Sequence, residues 1–311
     1  MLMRHTDDII GELFTLRDLI RYGVTLFNKS GIYFGHGTDN ALDEATALTL
    51  FALNLPHDLP GHFMDANLTE DEKLEILDLF DKRINERIPV PYLTHEAWFA
   101  GHPFYVDDRV LVPRSPIGEL ITAAFDPWLN PDNIFDVLDM CTGSGCIAIA
   151  TALALPEAEV HAVDISQDAL NVAEINVQRH HVQDQVKLIK SDLFSNLTDL
   201  SYDVIITNPP YVDAEEMAEL PKEYRHEPVL GLASGQEGLD HINKILHKAA
   251  EFLNDGGILI AEVGASEDAL VDAYPDVPFY WFEFENGGNG VFMLTRQQLV
   301  EYFSEEDTNV A

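Results

Sequence analysis

Apolar residues recur at helical spacing through the first ninety positions. Ile9, Ile10, Leu13, Leu16, Leu19, Ile20 and Leu26 fall along one face of a helix. A second set, Leu42, Ala45, Leu48, Leu50 and Leu53, predicts a helix that starts near Thr38 and Asp39. A third helix is signalled by Thr69 with Glu72 three residues on, a pair that can satisfy two free backbone donors at a helix start. Its apolar stripe reads Leu74, Leu77, Phe80 and Ile84. Gly31, Gly35, Gly37, Pro56, Pro60 and Gly61 interrupt the runs. This pattern predicts a small helical bundle.

The pattern changes between Arg87 and Arg114. Pro89, Pro91 and Pro103 exclude a long helix. Ala97-Trp98-Phe99 and Phe104-Tyr105-Val106 flank Gly101-His102, as in a hairpin, with Trp98 and Phe99 expected to pack between domains. From about Ile117 onward, strand-like runs alternate with helical ones. Strands are predicted at Ile134 to Met140, Glu159 to Val163, Val186 to Lys190, Tyr202 to Thr207 and Ile258 to Val263. Helices are predicted at Ile147 to Leu155, at Ser166 to His180 with Ser166 as cap, and at Leu239 to Leu253, which Gly256-Gly257 would end. Such alternation builds a doubly wound, mostly parallel α/β sheet with helices on both faces. Phe279 to Glu285 and Gly290 to Thr295 are joined by four residues, short enough only for an antiparallel hairpin. The expected layout is a helical domain over 1–88, a hairpin connector over 89–116 and an α/β domain over 117–311.

The length of 311 residues suits two domains. Hydrophobic residues at 46% and charged residues at 23% exclude a disordered or collagen-like body. Charge changes the picture more. Asp and Glu number 54 against 18 Lys and Arg, a formal net charge of −36. Such a surface repels polyanions and attracts basic partners, unless it reflects general acidity for solubility or a salty habitat. Direct nucleic-acid binding is not expected. Cys141 and Cys146 match no disulfide framework or metal spacing, so no metal is expected. Met1 to Asp8 holds no apolar signal core, and no apolar run is long enough for a membrane span, so the chain reads as soluble and cytoplasmic. The acidic tail, Glu301 to Ala311, is expected to fray.

In doubly wound sheets, ligands sit at the carboxyl ends of the strands. Three such ends carry chemistry here. The first is Asp139-Met140-Cys141-Thr142-Gly143-Ser144-Gly145-Cys146, where small residues let a ligand approach the backbone. The next strand ends at Asp164, an acid placed to accept both hydroxyls of a ribose. Gly143, Gly145 and Ala148 also fit a dinucleotide pattern, so these two ends alone leave the nucleotide open. The third end is Asn208-Pro209-Pro210-Tyr211. Two prolines stiffen the backbone, Asn208 and the peptide carbonyls supply acceptors, and Tyr211 adds a flat face or a hydroxyl. This set suits a planar NH2 group on an sp2 carbon.

With this motif the chain resembles the class I S-adenosylmethionine-dependent methyltransferases, and within them the HemK-like protein glutamine methyltransferases. The similarity extends to the helical N-terminal part, the hairpin, the sheet and Glu227-Pro228. Gly35 to Ala41, Pro89 to Leu93, Leu111 to Pro116 and Leu138 to Cys146 are similar to the branch acting on ribosomal protein number three of the large subunit. Ser115-Pro116 and Cys141 depart from the release-factor branch. The resemblance implies a seven-stranded sheet with S-adenosylmethionine as cofactor and S-adenosylhomocysteine as product. It implies that Gly143 and Gly145 line the methionine part, Asp164 the ribose, and Asp192 with Leu193 the adenine, with Thr142 also in the cofactor site. Asp139 would meet the cofactor amino group or brace the loop. Asn208, Pro209, Pro210 and Tyr211 would hold the substrate amide, with Asn208 also near the cofactor. Arg114 would meet the cofactor carboxylate or anchor the connector, and Cys141 would be an inert small residue.

The implied substrate is a glutamine of a basic ribosomal protein. Alternatives are a release factor, an exocyclic amine of a nucleic acid, a dehydrogenase reaction and a non-enzymatic assembly role. A base-modifying enzyme must hold phosphates and a flipped base, which the net charge disfavours. A strong general base is not required, so neither His226 nor His241 is nominated as one.

Overall fold

In the computed structural model, which describes residues 10–304, the first long helix starts at a cap and not at the first apolar residue. Thr15 accepts from the Asp18 amide while the Asp18 carboxylate accepts from the Thr15 amide, so α1 spans Leu16–Ser30. The uninterrupted helix expected from Ile9 to Leu26 is therefore broken, because Thr15 is extended and bridges to Asn67. Ile9 lies outside the described residues.

Helix α2 spans Ala41–Ala52, two residues beyond the expected start, because Asn40 accepts from the amides of Leu42 and Asp43. Helix α3, Glu70–Asp81, has the expected capping box from Thr69 and Glu72. Its buried side is Ile76 and Phe80, whereas Leu74, placed in the apolar stripe by sequence, is 45% exposed. Gly23 lets α1 and α3 close, since a Cβ there would lie 2.6 Å from the Phe80 ring. The chain then widens into a π turn over Lys82–Glu86, which carries Arg83 into the interior. A short helix α4, Val90–Thr94, starts where Pro91 can sit without losing a helical donor.

The chain divides into two compact units. One runs to Glu96 and takes in Pro221–His226; the other holds Ala97–Leu220 and resumes at Glu227. The first unit buries an ionic cluster as well as an apolar core of Leu19, Phe27, Leu48, Ile76 and Phe80. Arg83 and Glu44 are buried and paired at 2.7 Å, and Glu223 lies 3.3 Å from Arg83 and 3.4 Å from Arg87. The Tyr33 amide donates to Glu223, and the Tyr33 carbonyl accepts from Arg83. A buried guanidinium needs such partners, because desolvating it alone costs several kcal/mol.

In the second unit, β1 (Ala97–Phe99) and β2 (His102–Phe104) form the hairpin. The turn is Ala100-Gly101, both with positive φ, and His102 pairs with Phe99 in the ladder instead of forming part of the turn. Phe99 is buried in the second unit's own core with Phe104 and Ile117, whereas Trp98 is 55% exposed. Helix α5 (Ile117–Thr122) precedes β3 (Asp136–Met140), α6 (Cys146–Ala154), β4 (Glu159–Asp164), α7 (Gln167–Arg179), β5 (Val186–Lys190) and β6 (Tyr202–Thr207). There follow α8 (Ala214–Glu219), α9 (Asp240–Lys248), β7 (Leu253–Glu262), α10 (Glu267–Ala273), β8 (Tyr280–Trp281), β9 (Val291–Thr295) and α11 (Arg296–Phe303).

The seven strands lie in the order β5-β4-β3-β6-β7-β9-β8. β3 to β7 are parallel, whereas β9 runs antiparallel to β7 and β8. Alternate residues feed two cores. Val137, Val204, Ile206 and Ile260 pack with Ala148 and Ile149 on one face, while Leu138, Ile205 and Leu259 pack with Ile242 and Leu246 on the other. Gly256-Gly257 does not separate a helix from a strand as expected. Both glycines lie inside β7, where the pairing steps from Tyr202 with Leu253 to Val204 with Ile258. Only Tyr280–Trp281 of the predicted Phe279 to Glu285 strand enters the ladder. Of the acidic tail, Glu301 to Phe303 are helical, and residues 305–311 lie outside the described residues.

Candidate active site

The turn after β3 changes backbone hand three times. Cys141, Gly143 and Gly145 have φ of 63°, 55° and 80°. A non-glycine residue in this region carries strain of about 1–2 kcal/mol, so the Cys141 backbone is held by its surroundings. Those surroundings include the Thr142 amide donating to the Val163 carbonyl and the Gly145 amide donating to the Thr142 carbonyl. Gly145 is also a packing glycine, since a Cβ there would lie 3.1 Å from the Ala173 Cβ on α7. At Gly143 nothing lies within 4 Å of an added Cβ, so that side of the turn is open.

Asp139 lies under the turn, fully buried. One carboxylate oxygen accepts from the Thr142 hydroxyl at 2.5 Å and the Ala148 amide at 3.0 Å. The other oxygen is buried with no hydrogen-bond partner among the described residues. Burial, with the Asp164 charge as a lesser cause, pushes its pKa up to about 7. The geometry makes Asp139 a brace for the loop with one acceptor left over. Asp164 ends β4 and accepts from the Gly143 amide at 2.9 Å and the Ser166 amide at 2.8 Å. Each oxygen keeps acceptor capacity for hydroxyl groups. Its pKa is also raised, chiefly by burial.

Asp192 is exposed just beyond β5, and Leu193 follows with φ 47°. The Leu193 carbonyl accepts from the Ser191 hydroxyl, whose own amide donates to the Asp164 carbonyl. Asn208 follows β6. Met140 and Thr207 are partners in the ladder and are also joined by a 3.0 Å bond from the Thr207 hydroxyl to the Met140 carbonyl. The Asn208 amide is half-buried and takes no hydrogen bond from the described residues. Pro209 and Pro210 are buried. The residues named from sequence thus lie along one sheet edge, but not in one cluster. Asp192 stands three strands from Asn208, or about 14 Å at ordinary strand spacing.

A row of that length suits an elongated ligand. Asp164 offers acceptors for hydroxyls, the open side at Gly143 leaves room, and the unpartnered Asp139 oxygen and the Asn208 amide remain available. These residues fit S-adenosylmethionine, a sugar flanked by a base on one side and an amino acid on the other.

Four residues of this region escaped the sequence reading. Asn176 is fully buried on α7, where it donates to the Ser144 and Tyr105 carbonyls and accepts from the Tyr105 amide, tying the turn to the segment after the hairpin. An amide among Val172, Ala173 and Val177 on an apolar face was its available signal. Glu262, at the end of β7, accepts from the Tyr211 and Ser115 hydroxyls. Ser266 donates to the Tyr211 carbonyl at 2.8 Å. Gly264 lies under the Tyr211 ring, where a Cβ would be 2.5 Å away. The structure also decides between two roles for Arg114. Its guanidinium binds both oxygens of the buried Glu227, at 2.6 and 2.8 Å, so it anchors the connector to the loop carrying Glu227-Pro228.

Burial pushes the Cys141 thiol well up and that of Cys146 up to about 12, so neither is a ready thiolate. His241 is paired with the Ser234 hydroxyl and its pKa is lowered, chiefly by burial. His226 lies within the helical unit, where its ring meets the Glu86 carbonyl. No described helix is long and apolar enough to cross a membrane.

A family model described as the methyltransferase small domain matches residues 123–222. The chain is 50% identical over 290 residues to the ribosomal protein uL3 glutamine methyltransferase of Neisseria gonorrhoeae, covering 93% of this chain and 97% of that protein. The protein of the same name from Neisseria meningitidis is also 50% identical over 290 residues, covering 93% and 95%. Among solved structures, a 16S rRNA methyltransferase of T. thermophilus, RsmC, in complex with AdoMet and guanosine, has a TM-score of 0.45 at 19% identity, covering 64% of this chain and 49% of that one. Half of the residues are identical over nearly the full length of this chain and of its relatives, and the protein belongs to the family of ribosomal protein uL3 glutamine methyltransferases.

Proposed function

We propose that this chain transfers a methyl group from S-adenosylmethionine to the side-chain amide nitrogen of a glutamine in ribosomal protein uL3. The observation that carries this reading is Asn208, whose side-chain amide has no hydrogen-bond partner among the described residues and stands at a strand end beside the Cys141 to Gly145 turn. A carboxamide on a stiff turn can accept one N–H of a second carboxamide. The peptide carbonyl of Pro209 can accept the other.

The sulfonium of the cofactor supplies an activated methyl carbon, so the protein need not create an electrophile. Its task lies with the nucleophile. An amide nitrogen is weak because its lone pair is delocalised. Acceptors on both N–H bonds fix its orientation and favour the positive charge that develops as the new C–N bond forms. Asn208 and Pro209 supply these acceptors, and Tyr211 packs beside them. Burial of Pro209 and Pro210 helps to keep water from the amide. The proton can leave after transfer, so a strong base is not required.

The net charge of −36 suits a basic ribosomal protein as acceptor and disfavours DNA. We assign recognition of that protein to the helical domain, residues 1–88. The test is transfer of labelled methyl groups to three purified acceptors: uL3, a peptide release factor and DNA. Label on one glutamine of uL3 is expected. Label on the release factor alone would assign another protein substrate, and label on DNA alone would overturn the reading.

A further inference from the structure

Glu262 ends β7, the strand next to the one that carries the Asn208 motif. Its side chain is buried, with one oxygen 3.1 Å from the Tyr211 hydroxyl and the other 2.5 Å from that of Ser115. A buried carboxyl costs far more to place than an apolar residue of similar size, and two hydroxyl donors only partly offset that cost. Packing alone would be served better by leucine or methionine. Burial raises the pKa of Glu262, and the Arg114 charge opposes that rise.

Three of the contacts that hold Tyr211 come from one place. Glu262 takes its hydroxyl, Ser266 donates to its carbonyl, and Gly264 lies against its ring. All three contacts come from the end of β7 and the turn after it. Between Tyr211 and Asn208 stand two prolines with fixed φ, so an error at the tyrosine is carried to the Asn208 amide with little absorbed on the way. Ser115 extends the linkage, because its hydroxyl also accepts from the Ile117 amide at the start of α5.

We propose that Glu262 is a positioning residue for methyl transfer: it fixes the Tyr211 phenol and thereby the turn that presents the Asn208 amide. This rests on the function proposed above. Positioning acts on the step after binding, where an ångström of misplacement can cost about 100-fold.

The experiment compares wild type, Glu262→Ala and Glu262→Gln in the full-length protein, with folding checked by thermal melts. Glu262→Ala is expected to lower kcat on uL3 by about 10-fold or more while the Kd for S-adenosylhomocysteine changes less than about threefold. Glu262→Gln keeps an acceptor for the phenol and should recover most of the loss. Tyr211→Phe should cost less in Glu262→Ala than in wild type, because the bond between the phenol and Glu262 is already gone. A second readout needs no turnover: 3-fluorotyrosine at position 211 should change its fluorine shift in Glu262→Ala and much less in Glu262→Gln. A folded Glu262→Ala with unchanged kcat and an unmoved resonance would overturn the proposal. So would full additivity with Tyr211→Phe. If wild type methylates no glutamine, the functional reading fails by itself, and the fluorine resonance still reports whether Glu262 positions Tyr211.

Discussion

The carboxylate of Asp164 accepts a hydrogen bond from the backbone amide of Gly143, 21 residues earlier, at 2.9 Å. Two neighbouring strand ends therefore share one acid, which holds the glycine turn while keeping acceptor capacity for a ligand. Replacing Asp164 by Ala should weaken S-adenosylhomocysteine binding by about 10- to 100-fold, the loss of one or two hydrogen bonds to a charged group. Calorimetric titration would measure it, and an unchanged Kd would remove Asp164 from the cofactor site.

Asn208 makes the opposite prediction. Its amide supports no described part of the fold, so Asn208→Ala should melt close to wild type. Turnover should fall by about 100-fold or more while cofactor affinity stays within about threefold. Normal turnover would mean that the amide clamp is misassigned.

Asp139 predicts a pH dependence of stability. Its folded pKa of about 7 lies above the ordinary carboxylate value of 3.8. Between those values the folded state holds more protons than the unfolded state, so stability from this group is present at low pH and is lost as pH rises toward 7. Asp139→Asn removes that term. The Tm of Asp139→Asn relative to wild type should climb between pH 5 and pH 7.5, and a flat difference would contradict the burial argument.

Arg114→Ala removes the charged partner of a carboxylate whose side chain is fully buried, leaving it the Val112 amide among its donors. Breaking a buried pair by removing one member costs about 3–5 kcal/mol, and the partial exposure of Arg114 points to the lower end. Chemical denaturation would measure the loss. Adding Glu227→Gln should recover part of it, and recovery of nothing would show that the pair is not what holds the loop.

Gly264→Ala tests the ring contact. With φ at 48° and the Tyr211 ring 2.5 Å from the added Cβ, strain and displacement act together. A stability loss of about 1–3 kcal/mol is expected, with a kcat loss like that of Glu262→Ala. A fully active variant of normal stability would show that the ring can move without consequence.

Strand β6 occupies the segment predicted for it, because a buried parallel strand reads as a short apolar run bounded by turn residues, and the edge strand β5 also matches its predicted bounds although only Val186 in it is buried. The motif residues were legible for a related reason. Asp164 and Asn208 each follow such a run, and the topology rule places strand ends together. What escaped was set by distant parts of the chain. Leu74 and Ile76 both suit a helical stripe, and only the neighbours of α3 decide that Ile76 is buried. Gly256-Gly257 reads as a break, although the register of β6 turns it into a bulge. Glu262 sits inside the predicted strand Ile258 to Val263 with no local sign of a role, since its partners lie 51 and 147 residues away. Arg83 belonged to no stripe, yet it is the largest fully buried side chain of its unit.

That arginine sets a limit on how the protein can be taken apart. Glu223 belongs to the helical unit although its place in the sequence falls after the catalytic motif. The helical unit is therefore not a contiguous cassette. Exchanging residues 1–96 between two relatives would bring in Arg83 and Glu44 but leave their third partner to the recipient. Keeping these buried charges paired therefore links two stretches of sequence about 140 residues apart, and engineering the cluster means editing both.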